Sequence, residues 1–111
     1  YDYFVKKRDR YTGEIRTFAK KIDVKDRDVV IIDDIISTGK TSANAASILK
    51  KQGARRVFVG VSHALLRGDA LKILMKAGVE EVAGTDSVDN DFAKVSVAPV
   101  LAKALKEQGL I

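Results

Sequence analysis

The sequence predicts an α/β fold built on a parallel sheet, and three observations carry that reading. The run Val29-Val30-Ile31-Ile32 has no polar alternation and no turn former, the pattern of a strand covered on both faces. A second apolar run, Val57-Phe58-Val59 with Val61, follows an amphipathic stretch that closes at Gly53. A further helical pattern closes at Gly78 before the next apolar segment. Strands that alternate with helices imply parallel pairing through right-handed crossovers.

Taken in order, residues 1–18 read as a hairpin or an extended arm. Tyr1, Tyr3 and Val5 alternate with Asp2 and Phe4, and Thr12-Gly13 supplies a turn. Residues 6–10 are all charged, so they resist burial and suit a mobile loop or ribbon tip. Residues 19–28 form a polar lead-in. A strand over 29–34 leads into a loop over 35–40 and a helix over 41–52, with Ala43, Ala46, Ile48 and Leu49 facing the core. A strand over 56–62 ends next to His63. A helix over 68–77 and strands over 81–85 and 94–97 follow. Pro99 opens a last helix over 99–108, where its missing N–H does no harm. The domain division is thus a lead-in over 1–28 and an α/β core over 29–111. The carboxyl ends of the strands gather Asp33, Asp34, His63, Thr85, Asp86 and Ser87. In an open α/β sheet that is the ligand face. His63 reads as a packed, hydrogen-bonded strand-end residue, and Asp86 and Ser87 as loop residues.

At 111 residues the chain makes one small domain, with 46% apolar and 32% charged residues, an ordinary globular balance. There is no cysteine, so disulfide and thiolate chemistry are excluded. No apolar run approaches the ~20 residues that span a bilayer, and no secretory signal pattern opens the chain, so the expectation is a cytoplasmic protein with no membrane partner. The first residue is Tyr, which suggests a processed or truncated piece of a longer protein. One Pro, one Met and abundant Lys, Arg and Glu lean toward a thermophilic source. The net charge is +5. Its excess is concentrated between Lys6 and Lys21, where Lys6, Lys7, Arg8, Arg10, Arg16, Lys20 and Lys21 face only Asp9 and Glu14. No nucleic-acid motif accompanies that stretch, so phosphorylated small molecules are the expected anions.

The densest chemistry lies in Asp33-Asp34-Ile35-Ile36-Ser37-Thr38-Gly39-Lys40-Thr41. Ser37, Thr38, Gly39, Lys40 and Thr41 offer hydroxyls, an ammonium and backbone N–H groups at a helix N-terminus, where the helix dipole favours a phosphate. Asp33 and Asp34 would repel that phosphate, so they serve something else. Carboxylates accept hydrogen bonds from vicinal hydroxyls or bind a divalent metal. Hydroxyls beside a phosphate describe a sugar phosphate. The bland alternative is an ordinary strand-to-helix turn with a Thr cap. Gly39-Lys40-Thr41 ends like a Walker A loop, but Asp34 occupies the position of its first glycine and would face the phosphates. A phosphoacceptor receiver domain also has an acid pair here. It needs a further Asp and a Lys at later strand ends, and its loop is less rich in hydroxyls.

On these residues the chain resembles the type I phosphoribosyltransferases. Val29 to Thr41 is similar to their phosphoribosyl-diphosphate (PRPP) motif, an apolar strand, two acids and a Ser/Thr-Thr-Gly-x-Thr loop. Within that superfamily the whole chain looks most like the carboxyl-terminal part of the ribose-phosphate pyrophosphokinases (PRPP synthetases), in an archaeal form. Lys6-Lys7-Arg8, Asp23-Val24-Lys25-Asp26-Arg27, Ser62-His63 and Lys94-Val95-Ser96-Val97-Ala98 carry that resemblance. It implies a three-layer αβα domain of phosphoribosyltransferase type, incomplete at its N-terminus, with residues 1–28 contributing a flexible catalytic loop. It further implies that Lys6 and Arg8 are catalytic and that Asp33 and Asp34 hold the ribose hydroxyls. Ser37, Thr38, Gly39, Lys40 and Thr41 would wrap the 5-phosphate. The implied reaction is diphosphoryl transfer from ATP to ribose 5-phosphate with Mg²⁺, by a homo-oligomer that includes a missing N-terminal half. The metal ligands are not specified by the resemblance. A PRPP-dependent base phosphoribosyltransferase and a non-catalytic PRPP-sensing domain are the alternatives. Two departures stand out: Lys40 replaces the small residue usual there, and Ser37 replaces the acid that some members carry. A piece of a sheet would also expose an apolar edge, so self-association is expected.

Overall fold

The order of elements follows from two sequence periods, 2 for strands and 3.6 for helices. In the computed structural model, residues 21–111 are described throughout, and of the earlier residues the backbone of Val5–Arg8 and Ile15–Phe18. Those two segments, β1 and β2, pair antiparallel with Lys6 opposite Thr17 and Arg8 opposite Ile15, which makes a two-stranded ribbon of the expected hairpin. The Thr12-Gly13 turn and the side chains of Lys6 and Arg8 lie outside the described residues.

Four strands form the main sheet in the order β3-β4-β5-β6, every neighbouring pair parallel. They are β3 (Asp28–Ile36), β4 (Arg56–Ala64), β5 (Val79–Thr85) and β6 (Ala93–Val95). The helices are α1 (Lys40–Lys51), α2 (Ala70–Lys76) and α3 (Ala98–Glu107). The parallel α/β class expected from the sequence is therefore the observed one. Gly53 at φ 96° and Gly78 at φ 102° carry the left-handed turns that end α1 and α2, as their positions suggested.

The core lies on one face of the sheet. Ala43, Ala46 and Leu49 of α1 and Leu74 of α2 join Val57, Val59 and Val61 of β4 and Val79 and Val82 of β5 in one buried cluster. Ile48, expected beside them, is only half-buried. The residues of β4 that reach this cluster alternate, as a strand with one covered face requires.

The other face is open, which corrects the expectation that β3 is covered on both sides. Val30 is 57% exposed and Ile32 77% exposed. Ile32 leans over Gly60, its Cδ1 lying 3.1 Å from where a Cβ on that glycine would stand. Helix α3 buries no residue and leaves Val100, Leu101 and Leu105 exposed. An unbroken apolar run shows that a strand has no polar face. It does not show which element covers each side.

Element ends differ from the sequence reading by a few residues. Strand β3 continues through both acids to Ile36, because Ile35 and Ile36 still pair with His63 and Ala64 of β4; the Asp33 and Asp34 carboxylates accept the next backbone N–H groups, of Asp34 at 2.9 Å and Ile35 at 2.8 Å. The loop before α1 is consequently only 37–39. Strand β5 begins at Val79, directly after the Gly78 turn, and β6 stops at Val95 because Val97 caps α3. Among the described residues no helix is long and apolar enough to cross a membrane.

At the amino ends of the strands, Arg55 and Arg56 both grip Asp28. The Arg55 Nη2 lies 2.7 Å from Asp28 Oδ2 and its Nε 2.9 Å from Oδ1. The Arg56 Nε lies 3.0 Å from Oδ1, and its Nη2 pairs with Oδ2. The hydrogen bonds from Arg55 and then from Arg56 hold the Asp28 carboxyl well below the usual carboxylate range.

Candidate functional site: an uncapped helix end beside an acid pair

The chain turns from β3 into α1 within three residues, Ser37, Thr38 and Gly39. So sharp a reversal needs a left-handed residue, and Gly39 supplies it at φ 82°. The glycine is also required by space, because a Cβ there would lie 3.1 Å from the Ala70 carbonyl oxygen. The turn thus presses against the start of α2 and, through Leu74, against the core.

Gly39 is the N-cap of α1, and among the described residues this helix end has no side-chain cap hydrogen bond. The bland reading of the turn, with a Thr cap, is therefore not what the chain adopts. The first N–H groups of a helix have no partner within it. No acidic residue stands in the first turn of α1 to answer the helix dipole. Lys40 stands there instead and is exposed. This is the electrostatics of an anion site.

A pocket of about 300 Å³ opens at this turn, lined by Asp33 to Ser42 without interruption. It brings together Asp33, Asp34, Ser37, Thr38, Gly39, Lys40 and Thr41, all singled out from the sequence, and adds Ile35, Ile36 and the buried Ser42. One short stretch therefore lines a single pocket with two carboxylate residues and the residues of a helix N-terminus.

A second loop braces the first. After β4, the Leu65 and Leu66 N–H groups both donate to the Ile36 carbonyl, at 3.0 and 3.2 Å, and the Arg67 N–H donates to the Ser37 carbonyl at 2.8 Å. Leu66 takes a left-handed backbone, φ 49°, to make this possible. Sequence reasoning does not single out this loop. Its one signal is the Arg67-Gly68 pair just beyond the carboxyl end of a strand.

The remaining strand-end residues form a separate hydrogen-bonded group. His63 Nδ1 lies 2.7 Å from Ser87 Oγ, Thr85 Oγ1 donates to the Ser62 carbonyl at 2.7 Å, and Ser87 Oγ donates to the same carbonyl at 2.8 Å. The β4–β5 ladder ends at Val61 and Gly84, so these hydroxyls continue its pairing one residue further. His63 is hydrogen-bonded, as expected, but exposed rather than packed, and it does not line the pocket. Asp86 accepts from the Val97 N–H at 2.9 Å, and that bond, then the Ser96 hydroxyl, keeps its carboxyl below the ordinary range. Asp86 thereby ties β5 to the start of α3. Among the described residues no group of three His, Cys, Asp or Glu side chains is placed to hold a metal ion.

The chain is 43% identical over 107 residues to the ribose-phosphate pyrophosphokinase of Methanopyrus kandleri, covering 96% of this chain and 36% of that protein. It is 50% identical over 78 residues to ribose-phosphate pyrophosphokinase 1 of Archaeoglobus fulgidus, covering 70% of this chain and 28% of the relative. The chain thus spans about a third of the length of the curated relatives it matches. Its fold aligns with a crystal structure of phosphoribosylpyrophosphate synthetase from Mycobacterium smegmatis at a TM-score of 0.61 and 30% identity, covering 88% of this chain and 34% of that one. The family model described as the phosphoribosyl synthetase-associated domain matches residues 17–105, and the chain belongs to that family.

Proposed function

We propose that this chain is the ribose 5-phosphate-binding part of a ribose-phosphate diphosphokinase. The observation that carries the reading is the uncapped N-terminus of α1 in one pocket with Asp33 and Asp34. The 5-phosphate lies on the turn of Ser37, Thr38, Gly39, Lys40 and Thr41, where N–H groups, hydroxyls and the Lys40 ammonium neutralise it. Asp33 and Asp34 accept hydrogen bonds from the ribose hydroxyls and fix the ring. The names of the similar proteins support the same substrate.

In the reaction the C1 hydroxyl oxygen of ribose 5-phosphate attacks the β-phosphorus of ATP. The bond from that phosphorus to the oxygen bridging it to the α-phosphorus breaks. The hydroxyl proton is lost, and PRPP and AMP result. Such a transfer depends on positioning and on neutralising charge as it develops. Lys6 and Arg8 are assigned to that second task, reaching the transferring group from the β1–β2 ribbon (residues 1–28 as lead-in, 29–111 as core). The described residues offer no protein-built magnesium cage. Magnesium, when bound, would be held chiefly by the substrate's own phosphates, as is usual for that ion. A cytoplasmic homo-oligomer that supplies the ATP site from the rest of the protein completes the proposal.

Titration calorimetry with ribose 5-phosphate, ribose and inorganic phosphate tests it. Ribose 5-phosphate is expected to bind more tightly than either fragment. Equal affinity for ribose 5-phosphate and phosphate alone would remove the role of the acid pair and refute the reading.

A further inference from the structure

We infer that Arg67 is a second cation of the phosphate site, acting across the turn from Lys40; this rests on the reading above. Four arginines lie within residues 21–111, namely Arg27, Arg55, Arg56 and Arg67. Arg27 pairs with Asp23, and Arg55 and Arg56 with Asp28. Arg67 alone of these has neither an ion pair nor a side-chain hydrogen bond among the described residues, and it is exposed. Its position is not casual. Its backbone N–H donates to the carbonyl of Ser37, the first residue of the phosphate-binding turn.

The chain strains itself to put it there. Leu66 is a non-glycine residue in the left-handed region, φ 49°, and its half-buried side chain packs against the core. Such a conformation is costly for a non-glycine residue and persists where surrounding structure enforces it, commonly at ligand sites. Here the enforcement comes from the three hydrogen bonds of Leu65, Leu66 and Arg67 to the Ile36 and Ser37 carbonyls. The strained turn ties Arg67, whose guanidinium has no partner among the described residues, to Ser37 of a pocket whose own charged side chains are two carboxylates and one ammonium.

Charge balance explains the need. A sugar phosphate brings about two negative charges to a place that already holds Asp33 and Asp34. Lys40 and the helix dipole offset only part of that. A guanidinium meets phosphate oxygens with paired donors and stays charged at any working pH. The sequence alone does not expose this role, because Arg67 lies far along the chain from Thr41 and belongs to no phosphate motif.

The side chain can be tested without disturbing the brace, since the Arg67 N–H survives substitution. Ribose 5-phosphate and inorganic phosphate are titrated into the wild-type chain, Arg67→Ala, Arg67→Lys and the control Arg27→Ala, with urea unfolding of each. Arg67→Ala is expected to weaken ribose 5-phosphate binding about tenfold, as for the loss of a charged hydrogen-bond partner. Arg67→Lys should recover part of the loss, Arg27→Ala should bind as wild type, and the unfolding midpoint of Arg67→Ala should not move. Wild-type binding with an Arg67→Ala affinity within twofold of it would overturn the inference and leave the site reading intact. No binding by the wild-type chain would overturn both.

Discussion

The carbonyl oxygen of Ala70 stands 3.1 Å from the point where a Cβ on Gly39 would lie, and the Leu74 Cγ stands 3.3 Å from it. The turn after β3 and the start of α2 are in close contact, so that a methyl group there would push a neighbour aside by a few tenths of an ångström. Gly39→Ala therefore suffers twice, from backbone strain at φ 82° and from crowding. The strain alone amounts to about 1–2 kcal/mol. Urea unfolding should show at least that loss, and ribose 5-phosphate binding should fall even under conditions where the variant is fully folded. Wild-type stability and affinity in Gly39→Ala would show that the turn can be rebuilt without glycine.

Asp33→Asn and Asp34→Asn separate the two halves of the pocket. Each removes a negative charge beside the anion site and weakens the acceptor for ribose hydroxyls. Ribose 5-phosphate affinity should drop about tenfold, the value of a charged hydrogen bond. Inorganic phosphate should bind as well as before or better. Parallel losses for both ligands would place the carboxylates in a structural role instead.

Lys6→Ala and Arg8→Ala bear on turnover rather than on binding. In the full-length protein, AMP release from ATP and ribose 5-phosphate should be abolished by either change, while ribose 5-phosphate affinity is spared. Full activity in both variants would dismiss the assignment of these residues. Loss of binding along with turnover would move them into the phosphate site.

The Asp28 fork makes a prediction about acid. Its carboxyl is held below the usual range by Arg55 and then Arg56, so the folded state favours the charged form. That stabilisation is complete above the unfolded carboxylate value of about 3.9 and is lost as pH falls below it toward the folded value. Asp28→Asn should thus be less stable than wild type at neutral pH, with the gap closing as the pH drops below about 4. A gap independent of pH down to about 2 would mean that the fork stabilises through packing alone.

The bare face of β3 predicts self-association. Val30 and Ile32 are exposed on a strand that is also an edge of the described sheet. Sedimentation at rising concentration should show association of this chain, and Ile32→Lys should reduce it. A clean monomer at high concentration would show that the open face is tolerated.

What the sequence made legible, and what it hid, follows from the range of the interactions involved. The acid pair, the Ser-Thr-Gly turn and the helix after it are local, so their placement could be read from adjacent residues, and they line one pocket. The stops at Gly53 and Gly78 are local too. Val30 and Ile32 misled because coverage of a strand face depends on elements distant in the chain. The link of Arg67 to Ser37 is hidden from the sequence because it is a backbone hydrogen bond between loops, which no side-chain pattern records. The end of β3 was placed too early, since an Asp pair suggests a loop, while here Ile35 and Ile36 still pair with β4 and the carboxylates take the next N–H groups.

On the proposed function, the turn after β3 holds the phosphate of a sugar phosphate beside its hydroxyls. The most direct measurement is a nuclear magnetic resonance titration of the isotopically labelled chain with ribose 5-phosphate, following backbone amides. Saturable shifts are expected at Ser37 to Thr41, with smaller ones at Asp33 and Asp34, and none of comparable size with ribose. Unshifted amides in that turn, or saturable shifts only elsewhere on the sheet, would contradict it.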